Sequence, residues 1–237
     1  MQAPLTGVSQ EGKKTTICSS PTPLTKGYLK LYIGPMFSQK TRSLLSDLEM
    51  LARSNCRALY VNHASDQRDD VASRAGVVTT HQKGFSHLPE GVAAISVSSL
   101  GEIPEQDLAF FDCLGVDECQ FYPDLKEKVE KWITRDNKHV ICAGLDSDAF
   151  MRPFGQTLDL IPLCDKVKKM RAKCTICRSE LEAIGYGGDP LSISAPFTLR
   201  LAPGRQQTLV GGSNSYTAVC RSHHLALSGR NQEESSG

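Results

Sequence analysis

YLKLYIGPMFSQKTRSLLSDLEMLARS, residues 28–54, decides the fold. YLKLYIG alternates apolar residues and stops at Gly-Pro, as a short strand does. KTRSLLSDLEMLARS then sets Leu44, Leu45, Leu48, Leu51 and Ala52 on one helical stripe. Between them lies GPMFSQKT, residues 34–41, which fits the phosphate-loop pattern G-x-x-x-x-G-K-[ST] except that Gln39 stands in place of the second glycine. In such a loop consecutive backbone N–H groups wrap phosphates at a helix start; Lys40 would reach the outer phosphates and the Thr41 hydroxyl would hold Mg²⁺. The rival reading is a plain strand-to-helix turn in which Ser38 caps the helix. If position 39 is left-handed, its Cβ costs roughly 1 kcal/mol, which weakens such a loop without abolishing it.

The pattern continues outward from this stretch. CRALYVN (56–62), LAFFDCLGVDE (108–118) and KHVICAGLD (138–146) read as strands, and DLKEKVEKWITRDN (124–137) as an amphipathic helix with mixed charges on its outer face. Strands alternating with helices predict an α/β domain built on a mostly parallel sheet covered on both faces. Residues 1–26 and 229–237 lack periodicity and are expected to form a disordered arm and tail. Residues 187–207 read as an irregular or extended connection. The expected division is a phosphate-loop domain over 27–165 and a smaller cysteine-bearing domain over 166–228.

Asp117 and Glu118 end an apolar strand, where open parallel sheets place their ligands. Asp117 can hold the water shell of Mg²⁺, and Glu118 can take a proton from an attacking hydroxyl. The same pair serves as a turn cap in many proteins, and in ATPases the glutamate polarises water instead. Phosphate loop and acid pair together point to phosphate chemistry and leave the acceptor open.

Cys174 and Cys177 form C-x-x-C, and Cys220 with His223 forms C-x-x-H. Two such pairs supply the four ligands of a tetrahedral, structural Zn²⁺ site. The rivals are a redox C-x-x-C, which normally opens a helix in a βαβ unit, and His224 in place of His223. Cys113, Cys119, Cys142 and Cys164 read as small apolar packing groups. Nine cysteines, an odd number with no disulfide framework in their spacing, suit a reducing compartment, and the N-terminus has no secretory pattern. A net charge of +1, with 40% apolar and 22% charged residues, gives no bulk attraction to nucleic acid or membrane. A cytoplasmic protein with recognised small-molecule partners is expected.

Five separated stretches, GPMFSQKT, DECQFYPDL, GLDSDAFMRPFG, CTIC and SYTAVCRSHH, together resemble the cytosolic, zinc-containing thymidine kinase family over about residues 27–224. The resemblance implies transfer of the ATP γ-phosphoryl to the 5′-hydroxyl of thymidine, and of deoxyuridine, giving dTMP. It implies ATP and Mg²⁺ bound by Gly34, Pro35, Ser38, Gln39, Lys40, Thr41 and Asp117, with Glu118 as base. Arg68 of NHASDQR (62–68) would lie against the moving phosphate, with Asp66 nearby. Met36, Phe121, Leu145, Phe150 and Tyr216 would surround the nucleoside. A homotetramer and feedback inhibition by dTTP follow from the resemblance alone.

This chain departs from the family at Gln39, at Gln82 where an acid is common, and at Ala149, where the family has the aromatic that stacks on the base; Phe150 follows it. Two other functional readings stay open: a nucleotide-binding relative without turnover, and a phosphate-loop ATPase whose zinc module binds nucleic acid.

Overall fold

The computed structural model describes residues 26–65, 88–185, 193–202, 206–207, 212 and 214–228. The arm over 1–25 and the tail over 229–237 lie outside them.

Six strands form the main sheet: β1 (Tyr28–Ile33), β2 (Ala58–His63), β3 (Val92–Val97), β4 (Cys113–Val116), β5 (His139–Gly144) and β6 (Lys166–Lys169), in spatial order β3-β2-β4-β5-β1-β6. Every pairing is parallel. The period of two in the strand sequences sorts side chains between the sheet's faces. Leu29, Leu31, Leu59, Val61, Leu114, Val116, Val140 and Cys142 belong to one core; Tyr32, Ala58, Tyr60, Cys113, Ile141 and Ala143 belong to the other. Helix α1 (Lys40–Arg53) covers the second face with Leu44, Leu45 and Leu48, and Leu51 and Ala52 pack at its margin.

The first face is covered by α3 (Leu125–Thr134), whose Leu125, Val129 and Trp132 recur at helical spacing and are fully buried. It follows α2 (Glu105–Phe110) in the chain. Strand LAFFDCLGVDE is shorter than its apolar run predicts. Leu108 to Phe110 end α2, which starts behind Pro104 with Glu105 and Asp107 in its first turn, where acids favour a helix. Only Cys113–Val116 pairs as a strand.

The second unit contains β7 (Ala172–Lys173), α4 (Thr175–Ala183), β8 (Ser194–Ala195), β9 (Phe197–Arg200), β10 (Tyr216–Val219) and α5 (Arg221–Ser228). Its strands form two antiparallel pairs, β7 with β8 and β9 with β10. Its small core gathers Cys174, Cys177, Ala195, Leu199, Ala218 and Val219. One expectation needs correction. Lys166–Lys169 is the edge strand of the main sheet, so that sheet runs past the boundary placed at residue 165. The stretch 187–207, read as an irregular or extended connection, carries the short strands β8 and β9 among its described residues.

Candidate functional site

The loop after β1 is strained at defined points. Gly34 has φ 144°, and a Cβ there would stand 2.5 Å from the Met170 carbonyl oxygen, so the close backbone approach requires glycine. Phe37 and Gln39 both have φ 65°, flanking Ser38. Left-handed residues interleaved in this way can turn successive N–H groups toward one side, as in anion-binding nests. Gln39 is therefore left-handed as the glycine of the pattern would be, with its side chain exposed. It is also the N-cap of α1 and makes no side-chain cap; Ser38 does not cap either, because its hydroxyl donates to the Pro35 carbonyl at 2.8 Å. The plain capped-turn reading fails on that geometry. Lys40 Nζ donates to the same carbonyl, also at 2.8 Å.

β5 lies between β1 and β4, so the loop and the acid pair stand at strand ends about 10 Å apart, two strand spacings. Asp117 is 3% exposed and accepts the Tyr60 hydroxyl at 2.8 Å. Glu118 follows in a left-handed conformation, φ 48° and ψ 40°, a costly arrangement of the kind found at functional sites. Its Oε2 accepts Gln120 Nε2 at 2.7 Å, while Gln120 Oε1 accepts the Leu145 amide at 2.9 Å. The Leu145 N–H can only donate, which fixes the orientation of the Gln120 amide. Gly144, at the end of the intervening strand, makes room for this turn: a Cβ there would meet Cys119 Sγ at 2.5 Å and Gln120 Oε1 at 2.8 Å. Burial pushes the fully buried Cys119 thiol up to about 12 against the lowering effect of its contact with Thr157; Asp117 and Glu118 raise it further and Lys40 lowers it.

Hard oxygen donors at Thr41 and Asp117 suit Mg²⁺. Phe121 sits between the rings of His63 (5.4 Å) and Phe154 (5.6 Å). Burial lowers the His63 pKa, against the opposing pull of a Ser98 backbone contact and of Glu118 and Glu102. Phe150 is half-buried with the Arg152 guanidinium 4.9 Å above its ring. Its loop is shaped by Asp148, which accepts the Phe150 and Arg152 amides at 2.9 Å each and the Arg152 side chain. Ala149 is buried, and its carbonyl meets His224 Nε2 at 3.0 Å. Tyr216 is buried in β10, opposite Arg200 of β9. Met36 donates its amide to the Thr198 hydroxyl at 3.0 Å. Arg68, Asp66 and Gln82 lie outside the described residues.

The ligand atoms of Cys174, Cys177, Cys220 and His223 all lie within 4.8 Å of one another. Cys177 Sγ is 3.7 Å from Cys220 Sγ, and His223 Nδ1 is 3.3 Å from each of them and 3.5 Å from Cys174 Sγ. A tetrahedron with Zn–S near ~2.3 Å and Zn–N near ~2.0 Å has edges of about 3.5–3.8 Å, so this donor set fits zinc. Glu180 Oε1 stands 3.1 Å from His223 Nε2, the outer contact that fixes a metal-bound imidazole. His224 turns away to Ala149, which settles the choice between adjacent histidines.

Gln120, Tyr60, Thr198 and Glu180 were missed in the sequence. Gln120 stands inside the acid motif and Glu180 one helical turn beyond the second knuckle cysteine, but nothing local marks either as a partner. Tyr60 and Thr198 reach the site only through tertiary packing.

The thymidine kinase family model matches residues 27–224. A thymidine kinase of Yaba monkey tumor virus is 33% identical over 195 residues, covering 82% of this chain and 93% of the relative. One from Oryza sativa is 32% identical over 86% of this chain and 68% of its own length. Thymidine kinase a of Arabidopsis thaliana is 31% identical over 84% and 75%.

Proposed function

The chain belongs to the thymidine kinase family, and from that premise we propose that it transfers the γ-phosphoryl of ATP to the 5′-hydroxyl of thymidine, and of deoxyuridine, to give dTMP. The observation that carries this reading is the pairing of a left-handed, lysine-bearing loop after β1 with a Gln120-held Glu118 after β4, two strand spacings away in the same parallel sheet.

The N–H groups of the loop, from Phe37 to Thr41, cradle the phosphates of the donor, and Lys40 leaves the Pro35 carbonyl to meet them. Thr41 and Asp117 would hold Mg²⁺, which neutralises phosphate charge when bound. Glu118 takes the proton of the 5′-hydroxyl as the oxygen attacks phosphorus, and ADP leaves along the opposite direction. Arg68, by the family resemblance, would add positive charge at the transferring group. Met36, Phe121, Leu145 and Tyr216 line the nucleoside, with Phe150, the next residue in the chain, in place of an aromatic at Ala149. Cys174, Cys177, Cys220 and His223 would hold a structural Zn²⁺ that contributes folding energy and no reacting group.

Among the described residues no helix is long and apolar enough to cross a membrane. A cytoplasmic homotetramer, inhibited by dTTP and without nucleic-acid partners, completes the reading.

ADP release with Mg-ATP, measured with and without thymidine on wild type and Glu118→Gln, tests it. Thymidine-dependent release that collapses in Glu118→Gln is expected. Thymidine-independent hydrolysis would favour an ATPase, and nucleotide binding without turnover an inactive relative.

A further inference from the structure

His223 and His224 are neighbours in α5 with different tasks. His223 joins the cysteine cluster, while His224, 1% exposed, directs its Nε2 to the Ala149 carbonyl 3.0 Å away, in the loop that follows β5. A carbonyl can only accept, so Nε2 carries the hydrogen. The Nδ1 of the same ring is buried with no partner among the described residues, and the Phe197 ring of β9 lies 5.6 Å from the imidazole.

The loop that receives this hydrogen bond is closed on itself. Asp148, 2% exposed, gathers the Phe150 and Arg152 amides and the Arg152 side chain, and its own amide donates to the Arg152 carbonyl at 2.9 Å. Ser147 pairs with Pro153 across its neck, and Met151 is left-handed inside it at φ 61°. A strained turn persists only where its surroundings hold it. From the second unit, His224 holds Ala149, and Gln207 Nε2 stands 3.3 Å from Asp148 Oδ2 and 3.4 Å from the Pro153 carbonyl. Gln207 is exposed and its distances are long, so the buried His224 contact is the stronger tie.

We infer that His224 is a positioning residue for the acceptor nucleoside: by holding the Ala149 carbonyl, with Gln207 as a weaker second tie, it fixes the place of the Ala149–Phe150 segment and so sets nucleoside affinity without changing donor affinity. The inference rests on the reading of Phe150 as a nucleoside contact. His224 touches backbone and not substrate. Without its imidazole a buried carbonyl loses its donor, and the loop would shift toward water to regain one, carrying Phe150 with it. Zinc on Cys220 and His223 would fix the first turn of α5, the turn that aims His224, so one backbone step separates a metal ligand from the anchor of the acceptor loop.

The test compares full-length wild type, His224→Phe, His224→Gln, Gln207→Leu and Phe150→Ala. Each is measured for zinc content, for thymidine binding by calorimetry without nucleotide, and for KM of thymidine and of ATP. His224→Phe keeps a ring and removes the donor. Its expected result is a thymidine Kd and KM raised about tenfold, an ATP KM within about twofold of wild type, and one zinc per chain. His224→Gln, which returns an N–H donor, should recover most of the loss, and Gln207→Leu should raise the thymidine Kd about threefold. A histidine that served stability alone would lower the melting temperature and leave both KM values as they are. Unchanged thymidine binding in His224→Phe, or an equal rise in both KM values with zinc retained, overturns the inference. Should His224→Phe lose zinc, Gln207→Leu carries the comparison, and an unchanged thymidine Kd there overturns it. An unchanged thymidine Kd in Phe150→Ala would instead overturn the reading of Phe150 beneath it.

Discussion

Gln120 grips Glu118: its Nε2 lies 2.7 Å from Glu118 Oε2, while its Oε1 is pinned by the Leu145 amide at 2.9 Å. A buried amide that bridges a strand-end acid to the neighbouring strand end fixes where that acid points. Gln120→Leu removes the donor and leaves the Leu145 amide without its acceptor. The expected outcome is a kcat lowered by about tenfold or more with a much smaller change in ATP KM, read from initial rates at saturating thymidine. A kcat equal to wild type would mean that Glu118 holds its place without help.

The left-handed Gln39 makes a prediction of opposite sign. Glycine at that position removes a strain of roughly 1 kcal/mol while leaving the loop's hydrogen bonds in place, since the glutamine side chain makes no cap. Gln39→Gly should lower the ATP KM by a few-fold. An unchanged or higher value would show that the surroundings already compensate for the residue's cost.

Metal analysis addresses the knuckles. Cys177→Ser should lose zinc and melt at lower temperature, because binding free energy at such a site is folding free energy. Glu180→Gln should keep the four ligands and weaken zinc by about tenfold in a chelator competition. Full zinc retention by Cys177→Ser would reject the ligand set.

The pH dependence of stability has a computable sign. Burial lowers His63 and His139 below the ordinary 6.5. Below 6.5 the unfolded chain takes up protons that these folded imidazoles refuse, so stability falls as pH drops from 6.5 toward their folded values. A second loss comes lower. The Arg57 fork depresses Asp112 below 3.8, and its contribution, present above that value, disappears as pH falls through the depressed one. His139→Phe keeps a ring against Tyr28, 4.5 Å away, and removes the buried Nδ1 that has no partner. It should flatten the upper of the two losses in thermal melts between pH 7 and 5 and leave the lower one intact.

Much of this architecture could be read in the sequence because periodicity and punctuation agree. The stripe of Leu44, Leu45 and Leu48 behind a Gly-Pro stop defined β1, the loop and α1 together, and C-x-x-C with C-x-x-H picked out four residues whose ligand atoms meet in a cluster that could hold a metal. Reading failed where a local signal had two physical meanings. Leu108 to Phe111 suit a strand as well as a helix, and Pro104 with its following acids tipped them to α2. Ser38 has the chemistry of a cap, yet its hydroxyl turned inward to Pro35. Partners such as Tyr60 for Asp117 and Thr198 for Met36 were illegible for a different reason: each lies far along the chain and meets its residue only once the sheet and the second unit are assembled.

β1 and β4, which carry the two halves of the proposed chemistry, never hydrogen-bond to each other; β5 runs between them. The distance between phosphate grip and base is therefore a property of backbone repeat, not of side-chain reach, and His139–Gly144 works as a ruler. Loop residues beside such a ruler can change without altering the span that the sheet sets. The corollary is that β5, which supplies no reacting side chain, should tolerate the least change in length of any strand in the sheet.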